Sequence, residues 1–284
     1  MSIRILEQRL GDYACRTAQE EEQALREITQ EVILAALGRT EFFSQAAFHG
    51  GTCLRIFHQL NRFSEDLDFV LQKPSSSFEL GAFLIQVAKE LEAYGYALEI
   101  QERSSLETPV KKAFLKDDSI GRILELHHLR ADRFMKKIRI KLEIDTNPPE
   151  GAIHQTAYLN FPFLSSVTIH DPASLFAGKL HALLCREYLK GRDWYDFLWY
   201  AARRTKVNAS LLSHALMQSG PWKGKTLSVD DDWLLTALNQ RIDSIDWPQA
   251  ARDVQRFLKP QELPSLSLWT RDVFRTQAAS LFLK

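Results

Sequence analysis

Three features that often identify a protein from its sequence are scarce in this chain of 284 residues: cysteine, excess charge and long apolar runs. The three cysteines, Cys15, Cys53 and Cys185, lie far apart and form no C-x-x-C pair. The sequence therefore indicates neither a disulfide scaffold nor a zinc ribbon. This cysteine pattern is typical of a reducing compartment, and we expect a cytoplasmic protein.

Charge is balanced, with 36 Lys and Arg residues against 36 Asp and Glu residues. A neutral chain has no overall basic field to attract nucleic acid, so such binding would require a local patch. The segment from Arg130 to Lys141 is the one cationic cluster that stands out. A solvated strand face accounts for most of it, and guidance of a polynucleotide is the alternative function.

Long apolar segments are absent as well. No stretch of about twenty apolar residues occurs, so we expect neither a membrane-spanning helix nor a membrane partner. Hydrophobic residues still make up 45% of the chain, enough for one large domain or two modest ones.

The spacing of apolar residues predicts the helices and strands in the first part of the chain. Apolar residues at helical spacing predict a leading helix over residues 20–37. The stretch SQAAFHGG ends in Gly50 and Gly51, and TCLRIFHQL continues with helical spacing. This order predicts a strand, a tight glycine turn and a helix. A further helix is predicted over residues 79–93 and a strand over 96–101, followed by a hairpin or loop over 103–121.

Two segments alternate as half-buried strands do. In FSEDLDFVL, the side chains of Ser64, Asp66 and Asp68 share one face. In KKIRIKLEID, the polar face ends in Glu143 and Asp145. Beyond Ile169 the remaining chain is mainly helical in pattern, which predicts a core over residues 1–170 and a helical carboxy-terminal domain over 171–284.

These residue types suit phosphate chemistry. Two carboxylates on one strand face, Asp66 and Asp68, supply oxygen ligands of the kind that Mg²⁺ prefers. Glycines at a strand-to-helix turn let backbone N–H groups approach phosphates, and the Thr52 hydroxyl can add a hydrogen bond. An isolated D-x-D is usually a solvated strand face and a lone Gly-Gly a turn, but their combination indicates phosphoryl or nucleotidyl transfer.

The segment HGGTCLRIFHQLNRFSEDLDFVL resembles the first motif of the DNA-polymerase-β-like nucleotidyltransferase superfamily, in its AbiEii/AbiGii toxin branch. The later segment SLFAGKLHALLCREYLKGRDWYDFLWY is similar to a second motif of that branch. There Lys179 lies on a helix and Asp193 and Asp196 follow in R-D-x-Y-D. Together the two motifs cover about residues 45 to 200.

The resemblance implies an α+β fold, in which a nucleotidyltransferase core with a mixed β-sheet flanked by helices is joined to a helical carboxy-terminal domain. It implies two Mg²⁺ ions and a nucleoside triphosphate as substrate. It also implies a toxin of a toxin-antitoxin or phage-defence pair, with a cognate antitoxin as partner and RNA, such as tRNA, as an acceptor.

Site roles follow from the resemblance together with the residue chemistry. Asp66 and Asp68 would bind metal, and either Glu143 or Asp145 would be the third ligand or the general base. The phosphate-binding set would be Gly50, Gly51, Thr52, Ser64 and Lys179. Asp193, with Asp196, would orient Lys179 or Arg192 or coordinate the acceptor, while helix capping and surface pairing are the structural alternative.

Two other functions are compatible with these residues. The acceptor can be a small molecule instead of RNA, or the chain can be a non-catalytic module that binds nucleotide or pairs with an antitoxin. The intact D-x-D argues against a pure binding module, because two neighbouring carboxylates repel each other without a cation.

Overall fold

The structure is a computed structural model that describes residues 2–102, 109–117, 119, 124 and 138–282. The chain divides into two compact units. The first comprises Met1–Gln59, Phe63–Pro148 and Thr156–Ile169, and the second comprises Leu60–Arg62, Pro149–Gln155 and His170–Lys284. The expected division into domains 1–170 and 171–284 stays a prediction.

The first 170 residues contain helices mainly at the beginning and strands mainly towards the end. Their bounds are α1 Ser2–Asp12, α2 Ala18–Gly38, α3 Phe42–Gln45, β1 Ala46–His49, α4 Gly50–His58, β2 Asp66–Leu71, α5 Gly81–Glu92, β3 Glu99–Glu102, β4 Val110–Asp117, β5 Ile138–Asp145, β6 His154–Leu159 and β7 Ser165–His170. Over the described residues the strands form one seven-stranded sheet in the order β3-β4-β5-β2-β1-β7-β6.

The sheet is mixed. Strand β2 runs antiparallel to β1 and parallel to β5. Asp68 stands opposite His49 of β1 and opposite Glu143 of β5. Directly opposed residues place their side chains on the same face of a sheet. The polar positions of β2 and β5 therefore share one face.

The other face of β2 is apolar core. Leu67 and Phe69 are 0% and 1% exposed, and the ring of Phe69 lies 5.0 Å from that of Phe42 in an edge-to-face arrangement. This burial fixes the register of β2, because a slip by one residue would move Asp66 and Asp68 into the core.

The second unit is built mainly of helices. Their bounds are α6 Pro172–Cys185, α7 Gly191–Ala202, α8 Ala209–Gln218, α9 Asp231–Asp243, α10 Trp247–Gln255, a 3₁₀ helix Pro260–Leu268 and α11 Arg271–Ser280. The side chain of Asp171 caps α6 by accepting the Ser174 N–H at 2.8 Å. Trp247 stacks on Phe274 with 3.9 Å between ring centroids, inside an aromatic core.

Most periodicity-based predictions are confirmed. The leading helix is α2, the strand-turn-helix is β1 and α4, and the helix over 79–93 is α5. The expected α+β fold with a mixed sheet and a helical carboxy-terminal part is also confirmed. No helix in the part of the chain that the structure describes is long and apolar enough to cross a membrane.

The polar stretch over 103–121, expected to be a hairpin or loop, contains β4 where it is described, and β4 pairs antiparallel with β3 as in a hairpin. The elements α1, β6 and β7 had no counterpart in the sequence interpretation. Strand β6 lies at the sheet edge with exposed residues on both faces, so its sequence lacks the alternation of a half-buried strand. Of the basic cluster, Arg139 and Lys141 are described and the cations from Arg130 to Lys137 lie outside the described residues.

Candidate active site

The bend between β1 and α4 holds Gly50 directly against Asp68. Gly50 has a φ of +77°, a left-handed conformation that favours glycine. A Cβ atom at this position would lie 2.6 Å from Oδ2 of Asp68 and 3.2 Å from its Cβ. Gly50 is therefore required both for the backbone turn and for the approach of the carboxylate.

Thr52 links this bend to the carboxylate strand. Its hydroxyl is fully buried and donates to the backbone carbonyl of Asp66 at 2.5 Å. That hydroxyl is thus already used within the protein. Gly50, Gly51 and Thr52 form the first turn of α4, whose backbone N–H groups have no acceptor within the helix. A phosphate contact at Thr52 would use its backbone N–H.

Ser64 lies two residues before β2 and is half-buried. Its carbonyl accepts a hydrogen bond at 3.2 Å from the side-chain amide of Gln30, a fully buried residue of α2. This bond fixes the path of the chain as it enters β2, so Ser64 and Asp66 are held in place by the helix behind them.

The two candidates for the third carboxylate occupy different register positions. Glu143 is the direct cross-strand partner of Asp68. Asp145 stands opposite Val70, further along β5, and its carboxylate accepts the backbone N–H of Asn147 at 2.9 Å. The register therefore favours Glu143 as the group nearest to Asp68.

Two lysines hold Glu143. Its carboxylate lies 2.8 Å from Nζ of Lys141 and 3.2 Å from Nζ of Lys112. Burial alone would raise the pKa of Glu143, but the hydrogen bonds and charges of Lys141 and Lys112 outweigh it and lower that pKa. Glu143 is therefore ionised at neutral pH.

Lys141 adds a cation to the carboxylate face. It stands opposite Asp66 in the register. Burial opposes its charge, yet the hydrogen bond and charge of Glu143 and the charges of Asp66 and Asp68 raise the pKa of Lys141. The three carboxylates thus stabilise a cation on this face of the sheet.

This donor set fits a hard divalent cation. Asp66, Asp68 and Glu143 offer only oxygen donors, which is what Mg²⁺ requires, and the glycine bend leaves room beside Asp68. Within the described ranges, no three His, Cys, Asp or Glu side chains stand close enough to hold a metal as they are placed. Binding of an ion by all three would require Glu143 to exchange its lysine contacts for the metal.

The second unit contains a buried network of opposite charges. Nζ of Lys179 lies 2.6 Å from Asp193 and 2.8 Å from Asp196. Arg62 makes two hydrogen bonds of 2.6 Å to the carboxylate of Asp196, and Arg186 donates to Asp193. The cations of Lys179, Arg62 and Arg186 are therefore bound to the carboxylates of Asp193 and Asp196.

Because the network is buried, each charge in it is stabilised by its oppositely charged neighbours. The side chains of Asp196 and Arg62 are 0% and 3% exposed. Burial would raise the pKa of Asp193, but the charges of Lys179 and Arg186 outweigh it and lower that pKa to about 2. Both carboxylates are ionised at neutral pH, and their charges raise the pKa values of Lys179 and Arg62.

The network includes a charge pair that the sequence patterns did not predict. Of the two partners proposed for Asp193 and Asp196, Lys179 pairs with both, whereas the guanidinium of Arg192 lies 4.1 Å above the ring of Phe257. Arg186 was not anticipated. No local spacing indicates its pairing, because it follows the end of α6 and reaches Asp193 on the next helix.

Comparison with known proteins gives one family match and several similar folds. The chain matches, over residues 32–275, the family model described as nucleotidyl transferase AbiEii toxin of a type IV toxin-antitoxin system. No curated protein matches the chain by sequence.

Solved structures with a similar fold include MenT4, a nucleotidyltransferase toxin from Mycobacterium tuberculosis, with 16% identity, a TM-score of 0.57 and coverage of 100% of this chain and 91% of that one. A candidate nucleotidyltransferase from Helicobacter pylori has 18% identity, a TM-score of 0.51 and coverage of 91% and 97%. The protein JHP933 from the same species has 18% identity, a TM-score of 0.50 and coverage of 92% and 89%. The TM-scores indicate a shared fold, and at identities this low the similarity extends to the fold alone.

Proposed function

Because the chain belongs to the AbiEii family of nucleotidyltransferase toxins of type IV toxin-antitoxin systems, we propose that it transfers a nucleotide from a nucleoside triphosphate to an acceptor, with two Mg²⁺ ions. The carboxylate face of β2 and β5 beside the Gly50 bend carries this proposal. The approach of Asp68 to Gly50 is the single observation on which it rests.

In this mechanism Asp66, Asp68 and Glu143 would hold the metal ions. The chemistry that Mg²⁺ would supply there is compensation of the negative charge on the triphosphate and on the leaving pyrophosphate. Asp145 is the alternative third ligand, and whichever of Glu143 and Asp145 does not bind metal would be the general base that accepts a proton from the attacking hydroxyl.

The triphosphate would bind where backbone donors are free. The N–H groups of Gly50, Gly51 and Thr52 point out of the first turn of α4, and the positive end of the helix dipole favours an anion there. Ser64 contributes its hydroxyl from the segment that leads into β2. These residues bind and orient the phosphates but make no covalent bond to them.

Lys179 would supply a cation for the same anionic substrate. Burial would lower the pKa of Lys179, but the charges of Asp193 and Asp196 outweigh it and raise that pKa, so Lys179 stays positively charged and can attract a phosphate. Asp193 keeps Lys179 protonated and in a fixed orientation, which is how we assign Asp193 a role in the reaction.

The acceptor would be RNA, and tRNA is the specific candidate. A cognate antitoxin is the expected protein partner, since the family description names a toxin-antitoxin system. Growth arrest on expression, prevented by the antitoxin, is the cellular behaviour that this function predicts.

A transfer assay with two labels tests the reaction. The protein is incubated with Mg²⁺, total cellular RNA and nucleoside triphosphates labelled at either the α- or the γ-phosphate. Nucleotidyl transfer moves the α-label to RNA and releases the γ-label in pyrophosphate. Phosphoryl transfer moves the γ-label to RNA and leaves the α-label in the nucleoside diphosphate. We expect Asp66→Asn and Asp68→Asn to abolish transfer of the α-label.

Two controls make the assay decisive. A parallel reaction with RNA-free cell extract tests a small-molecule acceptor. Label transfer in that reaction alone would show that the acceptor is a small molecule and not RNA. Mg²⁺ binding measured by calorimetry separates loss of metal from loss of folding in the Asp68→Asn variant. Absence of transfer to every acceptor, with full toxicity retained by Asp68→Asn, would refute a catalytic function.

A further inference from the structure

A pocket of about 440 Å³ lies in the first unit, apart from the carboxylates of β2. Its walls come from α1, from α2, from the end of α4 and from the connection that leaves β6. The lining residues include Arg9, Glu31, Phe57, Tyr158 and Phe161. Its volume is within the range of small-molecule binding sites.

The floor of the pocket is a fixed guanidinium. Arg9 makes two hydrogen bonds to the carboxylate of Glu31, at 3.0 and 2.5 Å. The Glu31 side chain is only 4% exposed, whereas that of Arg9 is 31% exposed. Arg9 also lies 5.3 Å above the ring of Phe161. A planar group held in one orientation and partly open to solvent is a surface on which another flat group can stack.

Aromatic and amide side chains complete the pocket. Phe57 and Phe161 are half-buried, and Tyr158 is 66% exposed at the rim. Gln8 and Asn160 line the same space, and their carboxamides have no hydrogen-bond partner among the residues that the structure describes. Each carboxamide offers a donor and an acceptor side by side, the pattern that reads the edge of a base.

The charges of the residues that line the pocket indicate which part of a nucleotide can bind there. Two carboxylates, Asp12 and Glu31, face one guanidinium, Arg9. This balance disfavours a phosphate group inside the pocket. Flat walls with polar groups at the edge instead match a heteroaromatic ring that carries its own donors and acceptors, which is the character of an unstacked base.

We infer that this pocket is a binding site for a single nucleobase, stacked against Tyr158 and the Arg9–Phe161 surface and contacted at its edge by Gln8 and Asn160. The base can belong to a free nucleoside or to a single-stranded RNA, and the chemistry of recognition is the same. The inference stands on the pocket itself and does not require the proposed transfer reaction.

The pocket is separate from the site beside Asp68. Gly50 begins α4, and Phe57, seven residues later, lines the pocket, a separation of about 10 Å along the helix axis. In addition, α1 and Glu31 precede the stretch of chain that matches the family model, which begins at residue 32. Residues before the family match, on α1 and at Glu31, thus form part of the pocket together with residues inside the match.

Binding is tested without metal or triphosphate, so that the readout is independent of catalysis. Fluorescein-labelled RNA octamers of mixed sequence are titrated by anisotropy, and the four nucleosides by saturation-transfer NMR. We compare the wild type with Tyr158→Ala and Tyr158→Phe. Tyr188→Ala is the matched control, because Tyr188 is 64% exposed and does not line the pocket.

Loss of one stacking platform is expected to weaken binding about 5-fold to 100-fold in Tyr158→Ala. Tyr158→Phe keeps the ring and should bind like the wild type, as should Tyr188→Ala. An octamer carrying 4-thiouridine should crosslink on irradiation to the peptide that contains Tyr158 and Phe161. Binding of nucleosides would identify free nucleosides as ligands, and binding of the octamer alone would identify RNA.

The inference is overturned if the wild type binds neither probe, or if Tyr158→Ala binds as tightly as the wild type. An equal loss in Tyr188→Ala would also overturn it. Asp68→Asn should retain octamer binding while losing transfer, so failure of the pocket and failure of the proposed reaction give different results.

Discussion

Replacing Gly50 with alanine adds one carbon atom at the place where α4 meets the carboxylate of Asp68. The new Cβ would lie 2.6 Å from Oδ2 and 3.3 Å from Cγ of Asp68, so the carboxylate has to rotate away. Alanine at a φ of +77° also costs about 1–2 kcal/mol of backbone strain. The substitution therefore perturbs both stability and the position of a proposed metal ligand.

Gly224 separates these two effects. It has nearly the same backbone conformation, with a φ of +75°, but a Cβ atom there meets nothing within 4 Å. Gly224→Ala should lower the free energy of unfolding by about 1–2 kcal/mol without any change in the site. Gly50→Ala should show a similar loss of stability together with a loss of transfer rate of about 100-fold, since small misplacements of reacting groups cost that much.

Urea denaturation gives the free energy of unfolding of both variants, and initial rates with α-labelled nucleoside triphosphate give the catalytic effect. Rates are measured well below the denaturation midpoint, so that both variants are fully folded. A wild-type transfer rate in Gly50→Ala would refute the close approach as a functional feature. So would an equal rate loss in Gly224→Ala, because that variant leaves Asp68 untouched.

The remaining predictions concern buried and paired carboxylates. Arg62→Ala removes the bidentate partner of the fully buried Asp196, and the free energy of unfolding measured in urea should fall by about 3–5 kcal/mol, with Arg62→Lys in between. Asp193 has a folded-state pKa of about 2, below its unfolded value, so its contribution of about 2 kcal/mol is present above about pH 4 and is lost towards pH 2. The stability difference between wild type and Asp193→Asn should narrow over that window, and a constant difference would contradict the assignment. Glu143→Gln should reduce Mg²⁺ affinity and transfer far more than Asp145→Asn, and the opposite order would make Asp145 the third ligand.

Elements with a strong apolar period were predictable from the sequence. Strand β5 alternates between buried and polar residues along its whole length, and α2 repeats its apolar residues at helical spacing, because each packs one face on the core. The D-x-D strand was predictable for the same reason. The resemblance to the AbiEii family, based on two short motifs, is likewise confirmed by the match over residues 32–275.

Elements that do not pack one face on the core and expose the other were not predictable from the sequence. Strand β6 is at the sheet edge and has little buried surface, so it produced no clear pattern. The choice between Glu143 and Asp145 also lay beyond sequence reasoning. Both lie on the same face of β5, and only the pairing of β5 with β2 shows which one stands opposite Asp68.

Long-range charge pairs form a third class of missed features. Arg62 and Asp196 are separated by 134 residues, and no periodicity relates them. The sequence supplied the residues of both motifs, but their partners depend on tertiary packing. Since a buried carboxylate without a cation is strongly unfavourable, packing selects a pairing that local patterns do not encode.

The segment R-x-S-x-D-x-D therefore combines two kinds of residue with separate consequences when changed. Arg62 makes two hydrogen bonds to the buried carboxylate of Asp196, so its removal leaves that carboxylate with one cation fewer. Asp68 lies half-exposed beside Gly50, so its carboxylate is not held by burial and its loss removes little packing. It follows that substitutions at Arg62 act first on folding, whereas Asp68→Asn acts on metal binding in a protein of nearly unchanged stability. A toxicity screen that scores both positions as equally essential would conceal this difference, and only stability and Mg²⁺ affinity measured together on the same variants reveal it.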